Sequence, residues 1–104
     1  MNLQLSKTVE EEKPILLWVG DDYRSKSGYG RVAKELFPYL SRDYKVIQYA
    51  IACKGPSTDY YVIDSQDGTA FGFNKLPKVI DVIKPQIVIL LNDSNIIHGW
   101  LMYI

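Results

Sequence analysis

Two uninterrupted apolar runs stand out along the chain, "ILLWVG" at Ile15–Gly20 and "QIVILLND" at Gln86–Asp93. Runs without polar alternation suit parallel strands covered on both faces, so both are predicted to be buried strands. Between them the period changes. Val32, Ala33, Leu36, Phe37 and Leu40 recur at helical spacing, with Arg31, Lys34, Glu35 and Arg42 on the opposite side. Pro38 falls inside that pattern, where its missing N–H and its ring against the Lys34 carbonyl should kink the helix or end its regular part. "YKVIQYAIAC", Tyr44–Cys53, is β-branched and aromatic and closes on the turn cluster "KGPS", which predicts a second strand. "YYVID", Tyr60–Asp64, predicts a short third strand nearer the sheet edge. After the loop "SQDGTAFGF", in which Asp67 and then Asn74 read as loop and cap residues, Leu76, Val79, Ile80 and Ile83 form a second amphipathic face. Pro77 sits in its first turn, where an N–H has no partner anyway, and Pro85 stops it. The last segment, "SNIIHGWLMYI", predicts a helix from Ser94 or Asn95. It would present Ile97, Leu101 and Ile104 on one side with Trp100 and Met102 beside them, an apolar surface in need of a partner.

The order β-α-β-β-α-β with a final helix predicts an α/β, Rossmann-like domain: a mainly parallel, doubly wound sheet with helices on both faces and strand order 3-2-1-4. Such a sheet has a topological switch point between its first and fourth strands, and ligands bind outside the carboxyl ends there. Those ends carry Gly20, Asp21 and Asp22 on one side and Asn92, Asp93 and Ser94 on the other.

Composition narrows the function classes. At 104 residues and 47% hydrophobic content the chain can bury one core and not two. Twelve basic residues balance twelve acidic ones, so no overall field draws it to nucleic acid or an anionic membrane. With one cysteine, Cys53, and one histidine, His98, no internal disulfide can form and a metal site or Cys–His pair is disfavoured. A reducing, cytoplasmic location is expected, with no signal peptide and no transmembrane segment. Residues 1–13, "MNLQLSKTVEEEK", read as a disordered leader, and 14–104 as the folded part.

The chemistry is sought in "SKSGYGRVA". Gly28-Tyr29-Gly30-Arg31-Val32-Ala33 matches G-x-G-x-x-[GA], and helix N-termini attract anions through free N–H groups. The dinucleotide fingerprint places its first glycine at the strand end, whereas Asp21–Ser27 separate Gly20 from Gly28 here; the acid expected at the end of the second strand is also absent from "QYAIACKG". A nicotinamide or flavin cofactor is therefore not expected, and no G-x-x-x-x-G-K-[ST] loop occurs. Two readings of the turn remain. In one, Gly28 and Gly30 let the backbone approach a phosphate, Ser27 caps the helix, Arg31 pairs with the phosphate, and Arg24 and Lys26 add positive charge. In the other, the glycines serve a turn that needs positive φ. His98 reads as a structural residue before a base, and Tyr23, Tyr29, Tyr60 and Tyr61 as packing residues before sugar-stacking platforms.

Beyond these readings, "ILLWVGDDYRSKSGYGRVAKELFPYLSRDYKVIQYAI" followed by "DGTAFGFNKLPKVIDVIKPQIVILLND" resembles the N-terminal domain of GT-B nucleotide-sugar glycosyltransferases, in particular the retaining, family-four-like group. The resemblance covers roughly residues 14–101 and rests on the "SGYGRV" turn, the block before the fourth strand and the polar strand end. It implies two Rossmann-like domains facing a cleft, of which this would be part of the acceptor-side one. It places Gly28, Tyr29, Gly30 and Arg31 near the donor diphosphate. Asp21, Asn92 and Asp93 would lie toward the substrates, with Asp93 the catalytic candidate and an N-cap of the last helix its alternative. No cofactor beyond the nucleotide-sugar donor is implied. Half a cleft cannot hold both substrates or stabilise a departing nucleoside diphosphate, so this chain alone should be inactive without a donor-binding domain or second chain. The competing reading is a non-catalytic α/β binding or assembly module that self-associates through Ile96–Ile104.

Overall fold

The structure, a computed structural model, describes residues 13–104. The predicted leader therefore lies, but for Lys13, outside the described residues. Strands β1 (Ile15–Asp21), β2 (Lys45–Ile51), β3 (Tyr61–Asp64) and β4 (Ile87–Leu91) form one sheet. Every neighbouring pair is parallel, and the order is β3-β2-β1-β4. Helix α1 (Gly28–Leu40) covers one face, and α2 (Leu76–Ile83) and α3 (Ser94–Tyr103) cover the other. The chain thus has the Rossmann-like α/β fold that its hydrophobic pattern predicts.

The alternation of side chains along β1 divides the core in two. Leu16 and Trp18 join Ala33 and Phe37 of α1, while Leu17 and Val19 join Leu76, Val79 and Trp100. On the α1 face the Phe37 ring meets Trp18 edge-on at 5.4 Å and Tyr60 at 5.1 Å, arrangements that suit the quadrupoles of the rings. On the other face Trp100 is wholly buried and its indole N–H donates to the Phe71 carbonyl at 2.8 Å, so its one polar atom is satisfied. Gly99 beside it sits close under the Phe73 ring: a Cβ there would stand 2.6 Å from it, and the ring would have to shift.

Four details depart from the sequence pattern. β2 ends at Ile51 and not at Cys53, because Ala52 turns the backbone into the left-handed region at φ 52°. Pro38 does not break α1, which runs on to Leu40; the proline lies one turn from the end, where the Ser41 N–H and hydroxyl both donate to the Phe37 carbonyl and close the helix. β4 lies at the end of the sheet, as the predicted order has it, but it is not buried: none of its residues is fully covered and Val88 is 37% exposed. In α3 the anchor is Trp100, with Ile96 and Ile97 partly buried, while Leu101, Met102 and Ile104 face outward. Asp67 does act as a cap, from a distance: its carboxylate accepts the N–H groups of Thr69, Asn74 and Lys75 and the Thr69 hydroxyl, and so serves the start of α2.

Because Trp100 is the one fully buried residue of α3, Trp100→Ala should cost about 3–5 kcal/mol in denaturant unfolding; a loss under about 1 kcal/mol would contradict this anchoring.

Candidate functional site

The mouth of the sheet is built outward from Asp22, which follows β1 and is fully buried. Its Oδ1 accepts from the N–H of Arg24 at 2.8 Å and from Arg24 Nε at 2.9 Å, and its Oδ2 from Arg24 Nη2 at 2.8 Å and the Lys54 N–H at 2.8 Å. Burial by itself would raise this carboxyl. The Arg24 guanidinium and the two backbone donors outweigh it and hold the group below the ordinary carboxylate range. Arg24 also donates to the carbonyls of Gly55 and Pro56, which draws the loop after β2 against the end of β1. Gln48, buried within β2, completes the framework: its Nε2 donates to the Asp21 carbonyl at 2.7 Å and its Oε1 accepts the Tyr23 N–H at 3.0 Å.

On this support sits the glycine turn. Ser27 is the N-cap of α1, as predicted, accepting the Gly30 N–H at 3.1 Å, and its hydroxyl donates to Asp21 Oδ2 at 2.7 Å. The two glycines have different roles. A Cβ on Gly30 would meet the Asp22 carbonyl and the Ser25 Cβ at 2.8 Å, so this residue lets the helix seat on its own loop. A Cβ on Gly28 would meet nothing within 4 Å. Neither residue has a positive φ, which removes the reading of the turn as a left-handed one. The N–H groups of Gly28 and Tyr29 find no acceptor among the described residues, as expected for a helix start.

The end of β4 closes the mouth from the other side. Asn92 folds back so that its Oδ1 accepts the Asp93 N–H at 2.8 Å. Asp93 occupies the N-cap position of α3, and its carbonyl receives the N–H groups of Ile96 and Ile97, yet its carboxylate makes no capping bond. Instead Asp93 Oδ1 accepts the Tyr29 hydroxyl at 2.7 Å, across the switch point. That bond, with lesser contributions from burial and from the charges of Asp93 and Asp21, raises the Tyr29 phenol above its usual range.

The structure therefore brings together Asp21, Gly28, Tyr29, Gly30 and Asp93, with Asn92 adjoining. Arg31 lies exposed in the first turn of α1, and its guanidinium has no partner among the described residues. Arg24 does not add free charge to the mouth, because Asp22 and two carbonyls take it up. Tyr23 is buried and its ring packs edge-on to Tyr60, Tyr61 lies under the Lys45 ammonium at 4.8 Å, and Tyr29 alone of the four tyrosines reaches the site. His98 is exposed on α3. Among the described residues no group of three His, Cys, Asp or Glu side chains could hold a metal ion, and no helix is long and apolar enough to cross a membrane. Chemically, the mouth offers two carboxylates and a phenol to hydroxyl-bearing ligands, and free N–H groups with open space at Gly28 to an anionic oxygen.

The sequence pattern places Asp22 at the strand end but does not foresee its burial, and it does not identify Gln48 at all. A glutamine in the middle of "KVIQYAI" is the available signal, since a polar side chain in a run buried on both faces needs fixed partners. Scanned against models of protein families and compared with curated proteins, the chain matches none.

The Asp22–Arg24 pair should respond asymmetrically to substitution. Arg24→Met leaves a carboxylate with no access to water and should cost about 3–5 kcal/mol, whereas Asp22→Asn leaves a guanidinium already partly exposed and should cost about 1.5–3 kcal/mol. Denaturant unfolding checks the order, and equal costs would contradict it. Because the folded value of Asp22 is depressed, its contribution is complete above the unfolded value near 3.8 and is lost as pH falls from there through the folded value. The stability gap between the native chain and Asp22→Asn should close over that window and stay constant from about pH 5 to about pH 7.

Proposed function

We propose that this chain is the acceptor-side part of a GT-B glycosyltransferase of the family-four-like kind, moving a sugar from a nucleotide sugar to an acceptor together with a donor-binding domain supplied from outside these residues. The observation that carries the reading is the meeting, at the switch point, of the glycine turn and the β4 end through the Tyr29–Asp93 hydrogen bond of 2.7 Å. In this reading the free N–H groups of Gly28 and Tyr29, with Arg31, receive the donor diphosphate, and Gly28 supplies the clearance. Asp21, Asn92 and Asp93 face hydroxyls of the substrates, which suits carboxylates that accept hydrogen bonds. Asp93 is the catalytic candidate, because its carboxylate is not engaged in capping α3. A half-site of this kind binds weakly and turns nothing over alone.

One observation favours a second reading. Leu101, Met102 and Ile104 are 59%, 72% and 54% exposed, which fits a non-catalytic binding or assembly module that associates through the end of α3.

The two readings separate in an amide NMR titration of the chain with uridine and guanosine diphosphate sugars, taken to about 5 mM to reach millimolar affinities. The glycosyltransferase reading expects shifts at Gly28, Tyr29 and Gly30 and none at Lys45 or Tyr61 at the opposite end of the sheet. Silence at the glycine turn, with association that is lost in Leu101→Ser, would favour the assembly module.

A further inference from the structure

We propose that the chain has a second ligand site, past the carboxyl ends of β2 and β3, shaped for a small uncharged polyol such as a sugar ring or a cyclitol. Parallel sheets bind ligands beyond the carboxyl ends of their strands, and a cavity of about 280 Å³ lies there. It is separate from the mouth: in the order β3-β2-β1-β4 the cavity falls on one side of β1 and Asp93 on the other. Cys53, Asp64, Ser65, Gln66 and Thr69 supply its polar lining.

The Ser65 hydroxyl carries the proposal. Ser65 is 5% exposed, and its hydroxyl has no hydrogen-bond partner among the described residues, whose side chains nonetheless leave no polar atom both fully enclosed and unpartnered. The oxygen must therefore face open space, and the cavity is the open space that Ser65 lines. A hydroxyl withdrawn this far from water without a fixed partner does nothing for the fold and suits a ligand.

The walls are pinned by bonds that leave the lining free. Beyond the left-handed turn at Ala52, the Lys54 N–H on Asp22 and the Gly55 and Pro56 carbonyls under Arg24 fix the segment that carries Cys53. The loop after β3 is fixed by the Tyr49 hydroxyl, which donates to the Gly72 carbonyl at 2.7 Å, and by the Asp67 carboxylate, which accepts the Thr69 hydroxyl at 2.6 Å. Gly72, at φ 63°, packs so closely that a Cβ on it would stand 2.9 Å from that of Ser65. Such a site is ordered before a ligand arrives and loses less on binding.

The lining selects the ligand class. Asp64 Oδ1 accepts the Gln66 N–H at 2.9 Å, while Oδ2 has no partner among the described residues and can accept from a ligand. The Ser65 hydroxyl and the Gln66 amide can each donate and accept, as the hydroxyls of a polyol do. No lysine or arginine lines the cavity, and the Asp64 carboxylate disfavours phosphates and other anions. A space of about 280 Å³ equals about nine water volumes of about 30 Å³, enough for one ring with its hydroxyls and too small for a whole nucleotide sugar.

Cys53, the one cysteine of the chain, reports on the site. The test is the rate of Cys53 alkylation by iodoacetamide on the full chain, with amide NMR in parallel, in the presence of glucose, N-acetylglucosamine or myo-inositol to about 100 mM. At least one should slow alkylation about threefold, as expected when a ligand stands at about twice its Kd. It should shift the Ser65, Gln66 and Thr69 amides and leave Gly28 and Tyr29 unmoved, and its phosphate ester should bind more weakly. Ser65→Ala should weaken that binding about threefold to tenfold with no fall in the unfolding midpoint. Alkylation at the full rate with all three polyols would overturn the proposal, as would shifts confined to Gly28 and Tyr29 or tighter binding of the phosphate ester. Undiminished binding by Ser65→Ala would also overturn it, and so would a lowered midpoint in that variant, which would make the hydroxyl part of the fold.

Discussion

The mouth of this sheet depends on a carboxylate that has no contact with water. Asp22 is tolerable where it sits only because Arg24 and the Lys54 N–H occupy both of its oxygens. The same contacts fix three pieces of chain at once: the end of β1, the loop after β2, and the turn whose Asp22 and Ser25 backbone receives Gly30. The start of α1 is therefore held to the sheet by polar bonds at its base and by ring packing of Phe37 against Trp18 farther along. A rigid support of this kind lets the exposed groups above it, Gly28, Tyr29 and Asp93, keep a fixed spacing without being buried themselves.

Most of the architecture was legible in the hydrophobic pattern. The apolar run of β1 and the helical spacing from Val32 to Leu40 reflect burial on two faces and on one, and those periods carry over directly into the sheet and α1. β4 misled for an instructive reason. Its place at the end of the sheet follows from the predicted strand order, but its apolar run reads as covered on both faces, and composition reports what a strand tolerates on its faces, not how much of each face is covered. The final helix misled in a related way: Ile97, Leu101 and Ile104 share a period, but it is the bulk of Trp100 and the close seat of Gly99 on Phe73 that decide which side turns inward.

The site was partly legible. Position along the chain placed Asp21, Asn92 and Asp93 at the strand ends and Gly28 at the helix entry, and Ser27 was recognisable as a cap from its place before the helix. What spacing could not give was the division of labour. Gly28 and Gly30 look alike in sequence, and only packing separates the residue that seats the helix from the one that leaves space. Arg24 looks like a free cation in "DDYRSKS", and its engagement depends on Asp22 being buried two residues earlier. The bond between Tyr29 and Asp93 joins residues far apart in sequence, and no local pattern announces it.

The proposed site turns on Gly28, where a Cβ would meet nothing within 4 Å, so that the fold itself does not demand a glycine. The most direct measurement is the affinity of the chain for a uridine or guanosine diphosphate sugar, by calorimetry, before and after Gly28→Val, with unfolding midpoints recorded for both. An unchanged midpoint and a loss of affinity of about tenfold or more, equivalent to about 1.4 kcal/mol, are expected. Equal affinity in the two proteins would contradict it.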